Sequence, residues 1–261
     1  MPGLESFSPW LIAYVVIIVA AAGWVQGALG LGFPMIATPL IAAATNMQFA
    51  VVMVLIPCIA TVIISIFRSP GFAGVLRRFW WMSLLALAGA IIGARLFVLF
   101  PEFPYALLLA GVILFYLNME RLGRGESPLM RKHSKVSGVI FGLLGGISES
   151  TANIAAPPLI IYYFGIGLPP LLLVPAMNIS FFAGKVAQFG TLAASDIAAP
   201  SLWLLTLPLA AVATVTSLIG TRVRSRINGE TYKIWMRRML LTMVIILLAQ
   251  VAYRYLNSWR T

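Results

Sequence analysis

Apolar residues in this chain come in long unbroken blocks, not in the two-residue or 3.6-residue alternation of a water-soluble fold. Trp10–Leu29, Met47–Phe67, Phe79–Phe100, Pro170–Gly190, Ala198–Gly220 and Trp235–Leu256 each approach or exceed the ~20 residues a helix needs to cross a bilayer. Pro104–Met119 is a shorter block of the same kind. The pattern predicts an all-α polytopic membrane protein. A mean hydropathy of +0.98 and a charged fraction of 10% agree, since soluble domains carry about 25% charge. The tail before the first block holds Glu5 and no basic stretch, which suits a retained helix better than a cleaved leader.

Two interruptions stand out. Residues 145–158 read GGISESTANIAAPP, and residues 27–34 read GALGLGFP. They belong to an internal repeat. Gly23–Pro34 aligns with Gly146–Pro157 at an offset of 123, and at that offset Trp80 meets Trp203. After a four-residue slip, Gly93-Ala-Arg-Leu meets Gly220-Thr-Arg-Val. The single membrane domain, 1–261, then divides into repeats of about 10–119 and 136–256 around a charged linker, 120–135.

Charge sets the orientation of these repeats. The net charge is +11, and 14 of the 18 Lys and Arg residues fall in three connections. These hold Arg68, Arg77 and Arg78; Arg121, Arg124, Arg131, Lys132 and Lys135; and Arg222, Arg224, Arg226, Lys233, Arg237 and Arg238. Glu102 and Asp196 lie in the remaining connections. Basic loops stay in the cytoplasm, so the charge reads as an orientation signal and a contact with anionic lipid, not as a nucleic-acid surface. Equivalent loops of the two copies carry opposite signs, which predicts inverted-topology repeats of the kind found in secondary transporters. Inversion needs an odd number of crossings per copy. Each repeat is therefore expected to be a broken helical hairpin plus three transmembrane helices, bent at 27–34 and 147–158. Both termini are expected outside, although Arg254 and Arg260 weigh slightly against this.

Irregular backbone at membrane depth is tolerated only inside protein or along a cavity. The second half-helices, expected to begin near Met35 and Pro158, would aim their N-termini at the centre, where anions are favoured. Gln26, Gly30, Gly32, Ser150, Thr151 and Asn153 are the candidate binding residues at the breaks. Lys185 joins them, because a lysine inside a spanning helix costs roughly 2.5–3.5 kcal/mol and usually faces a cavity or partner. Asn178, Phe182, Lys185 and Gln188 follow three- and four-residue spacing on one face, so Asn178 and Gln188 complete the set. Glu149 has two open roles, ion-pair partner or proton-coupling group. Arg95 and Arg222 read as interfacial anchors.

No catalytic residue, metal site or cofactor is expected. The chain has one cysteine, Cys58, and one histidine, His133, and lacks a Walker A motif, HExxH and a nucleophile–base pair. An enzyme is not expected.

GWVQGALGLGFPMIATPL, GGISESTANIAAPPLIIYYFGIGLPP and VPAMNISFFAGKVAQ together resemble the TauE/SafE (TSUP) family across both repeats. The resemblance implies a bacterial inner-membrane carrier of sulfur-containing anions such as sulfite or small organosulfonates, often an exporter. At the second break the family is commonly glycine-rich, GxGGPP, where this chain has Asn153-Ile-Ala-Ala-Pro-Pro. The expected partners are a small anion and the bilayer, with protons and a second copy of the chain as open options. Passive anion or small-solute conduction, and import of thiosulfate or another oxyanion, are the alternatives.

Overall fold

The computed structural model describes residues 8–100, 127–153, 155–195 and 200–224, with scattered residues between 103 and 118 and between 231 and 252. Half of the residues in the expected spans Pro104–Met119 and Trp235–Leu256 lie outside the described residues, as do both chain ends and Glu102, Asp196, Arg121, Arg124, Arg226, Lys233, Arg254 and Arg260. Every regular element described is an α-helix. Five of them are long and apolar enough to cross a membrane.

Ser8 starts α1 (Pro9–Leu29), its hydroxyl accepting from Leu11 N at 3.3 Å with Pro9 in the first turn. Gly30 ends it at φ 78°, in the left-handed region that favours glycine. Three residues later α2 (Phe33–Ala44) begins. Tyr14, early in α1, donates to Leu40 O, late in α2, at 2.9 Å, so the two helices form an antiparallel hairpin. Asn46 caps α3 (Met47–Phe67) through Phe49 N. α4 (Phe72–Leu99) starts earlier than hydropathy indicates. The expected start, Phe79, is instead a kink with non-helical φ −119° and ψ 17°. The basic connection expected over 68–78 therefore shortens to Arg68–Gly71, and Arg77 and Arg78 ride on the helix.

A short helix, α5 (Pro128–Lys132), precedes α6 (Ser134–Ala152). α7 (Ala156–Gly165) returns beside the start of α6, and Ser127 N donates to Gly165 O at 3.0 Å. α8 (Pro170–Ala193) and α9 (Pro200–Arg224) follow.

Both breaks are narrower than expected. The first is confined to 30–32 and the second to 153–155. Ser148 to Thr151 stay helical, and the hydroxyls of Ser148 and Thr151 bond back within the helix, to Leu144 O and, at 2.8 Å, to Ile147 O. Asn153 supplies the turn at φ 61°, a conformation that asparagine tolerates better than most residues.

α3 and α8 are the most enclosed spans, and α9 the least. α1 packs along α9, and α4 along α6 and α8. Two of these contacts are backbone to backbone. A Cβ on Gly27 would overlap Ser217 O, and one on Gly146 would overlap Ala86 O. Small residues permit such close approach in helices that lack a hydrophobic drive to associate. Large apolar side chains on the outer faces, such as Ile17, Leu84, Ile140 and Leu204, stay exposed, as lipid contact requires.

Candidate functional site

α8 carries the polar side chains around which the site is built. Asn178, Lys185 and Gln188 are each fully buried (0% exposed). Phe182, expected on the same face, lies at its edge and is partly exposed at 36%. Asn178 and Lys185 stand seven residues apart, which is about 10 Å along the helix at 1.5 Å per residue. The residues expected to form one midplane site divide between these two levels.

The upper level centres on Lys185. Its Nζ donates to Asn153 Oδ1 and to Gln188 Oε1, the latter at 2.8 Å. Glu149 Oε1 lies 2.7 Å from the same nitrogen. That approach is an ion pair off the line of a hydrogen bond. An ammonium has three hydrogens, so the two amides and the carboxylate account for the acceptors around it. Asn153 Nδ2 donates to Thr38 Oγ1 of α2 at 2.6 Å, and Gln188 Nε2 to Ser150 O at 3.3 Å. Ser150 Oγ is buried with no hydrogen-bond partner among the described residues.

The lower level is neutral and sits at the α1–α2 corner. Gln26 Oε1 accepts from Phe33 N at 3.0 Å. Gln26 Nε2 lies within reach of Gly30 O, Ser65 Oγ and Asn178 Oδ1, at 3.2, 3.3 and 3.2 Å. Asn178 Nδ2 donates to Gly30 O at 2.6 Å and to Val174 O at 2.9 Å. Gly30 and Gly32 shape the corner with φ 78° and 111°.

The expected role of the helix N-termini shrinks. α2 begins at Phe33 and α7 at Ala156, slightly before the expected starts. Phe33 N–H is already bonded to Gln26, and Pro34, Pro157 and Pro158 have no N–H to offer. Side chains, above all Lys185, remain the principal donors.

Of the ten sequence-derived candidates, Glu149, Ser150, Asn153, Lys185 and Gln188 gather at the upper level, and Gln26, Gly30 and Asn178 at the lower. Gly32 shapes the corner, and the Thr151 hydroxyl is taken by Ile147 O. Thr38 and Ser65 were missed. Each is a single small hydroxyl in an apolar run, and only packing brings it to the site.

The sequence that builds this bundle matches a family profile. That profile is described as sulfite exporter TauE/SafE and covers residues 15–251. The chain belongs to the TauE/SafE sulfite exporter family. No curated protein and no solved structure matches it. Membership makes the chain a multi-pass membrane protein of a transporter family whose substrates are small anions.

Proposed function

We propose that this protein is a secondary transporter of sulfur-containing oxyanions, sulfite or small organosulfonates, working in the export direction by alternating access. The observation that carries this reading is Lys185, a cation with 0% exposure whose charged neighbour is the imperfectly directed carboxylate of Glu149. Asn153 and Gln188 hold the ammonium by aligned hydrogen bonds, so they stay when a substrate arrives. An oxyanion takes the place of Glu149 and accepts from Lys185, with the Ser150 hydroxyl as a further donor. Glu149 then needs a proton, because a second buried negative charge beside the substrate would be repelled. The charged group facing Glu149 is Lys185 of α8, and Cys58 of α3 lies within electrostatic reach of both. Glu149 is the candidate coupling group in this reading.

Two inverted repeats supply the rocking halves in this reading. The glycine contacts support it. A Cβ on Gly93 would come 2.6 Å from Ile147 O, and one on Gly220 would overlap Trp24 O. Gly93 pairs with Gly220, and Trp24 with Ile147, in the internal alignment. Each copy's first helix therefore meets the other copy's α4 or α9 through equivalent positions. Gln26 and Glu149 also occupy equivalent positions and head the two levels of the site. Sealing of the site favours a carrier over an open pore, since the candidate side chains from Gln26 to Gln188 are at most 3% exposed.

Counterflow of labelled sulfite and of methanesulfonate in proteoliposomes tests the reading. Unlabelled anion trapped inside is expected to accelerate uptake of label. Leak without acceleration would replace the carrier by a channel, and no flux of either anion would remove the substrate assignment.

A further inference from the structure

We infer that the α1–α2 corner is a second anion station, headed by Arg224, in series with the Lys185 centre. The inference rests on Lys185 being an anion site.

Arg224 ends α9. Its side chain is half-buried and runs from the surface inward, and its Nη1 atom is buried. Nη2 donates to Ser69 Oγ at 3.3 Å. Nη1 lies 3.0 Å from the point where a Cβ would stand on Gly30. The absence of a side chain at Gly30 is what lets the guanidinium close on this corner.

A continuous polar chain leads inward from there. Ser69 Oγ donates to Ser65 O at 2.6 Å, and Ser65 Oγ accepts from Gln26 Nε2, which reaches Asn178 of α8. The hydroxyls of Ser65 and Ser69 can rotate to donate instead. A guanidinium presents a planar fork of N–H groups that matches an oxyanion in two-point contact. Asn178 and Lys185 are both fully buried and stand about 10 Å apart along α8. An anion leaving Lys185 toward the end of α9 meets Arg224 next, and an anion arriving from that side meets it first.

The test uses right-side-out and everted membrane vesicles, with sulfite and methanesulfonate as probes and initial rates measured on each face. Arg224→Gln is expected to raise the half-saturation concentration about tenfold on the face where α9 ends, the loss expected for one charge-assisted contact. The half-saturation concentration on the opposite face should not change. Arg224→Lys, which keeps the charge, should recover most of the difference. Equal shifts on both faces, or a fall in maximal rate alone, would identify Arg224 as a helix clamp and overturn the inference. Should Arg224→Gln fail to insert, Ser69→Ala decides: a shift confined to that face supports the station, and unchanged half-saturation on both faces overturns it. Wild-type vesicles without flux of either probe would overturn the transporter reading and this inference with it. Wild-type flux with an indifferent Arg224→Gln overturns this inference alone.

Discussion

Lys185 and Glu149 depend on each other, and that changes what single substitutions at these positions report. Replacing Lys185 by Gln leaves a buried carboxylate without its cation, a loss of about 3–5 kcal/mol when one partner of a buried pair is removed. Lys185→Gln alone is therefore expected to lower thermal stability in detergent. The double variant Lys185→Gln/Glu149→Gln should restore stability while sulfite binding by calorimetry stays absent. Normal binding in the double variant would take Lys185 out of the site. Glu149→Gln alone keeps a polar group beside Lys185 but cannot carry a proton. It should still exchange anion, with a rate that no longer varies with pH. A pH profile matching that of the wild type would end the coupling role of Glu149 and leave it as an ion-pair partner. Asn153 combines a backbone role with a side-chain role, and two substitutions separate them. Asn153→Gly suits the left-handed backbone but loses the contacts to Lys185 and Thr38, so it should fold and bind sulfite poorly. Asn153→Ala adds roughly 1–2 kcal/mol of backbone strain and should also melt earlier than the Gly variant.

At the scale of elements, the two glycine seams hold the bundle together. Gly27 and Gly146 each press on a carbonyl of the neighbouring helix, Ser217 O and Ala86 O. Gly27→Val or Gly146→Val forces those helices apart, at about 1–3 kcal/mol or more for an overpacked contact. Reduced yield and an earlier thermal transition are expected for both, and wild-type stability in either would contradict the seam. The elements were unevenly legible from sequence. α3 agrees with its apolar block at both ends, and α1 begins one residue earlier, because charges, caps and bilayer length coincide there. α4 was misjudged at its start because a helix continues through Arg77 and Arg78, whereas hydropathy stops at a charge. The second break was placed too broadly because serine and threonine hydroxyls can bond within a helix as readily as they interrupt one. Its turn residue is Asn153, which carries a positive φ without the glycine that usually advertises it.

For the whole molecule, the candidate side chains were visible as polar residues stranded in apolar sequence, but their grouping was not. Seven residues of α8 place Asn178 and Lys185 on one side at two depths, and Ser65 and Thr38 reach Gln26 and Asn153 from α3 and α2 through packing alone. Arg224 was hidden differently, inside a basic segment whose charge was already explained by orientation. In the proposed carrier the buried Lys185 centre opens to one face at a time, which predicts saturable exchange in the counterflow assay and little net leak.

The Glu149–Lys185 pair has one more consequence. With no substrate bound, the ammonium and the carboxylate cancel, and the centre carries no net charge. Membrane voltage acts on moving charge at about 2.3 kcal/mol per elementary charge for each 100 mV. A reorienting centre with none is deaf to that force. The return of the empty transporter should therefore run at the same speed in an energised membrane as in a depolarised one.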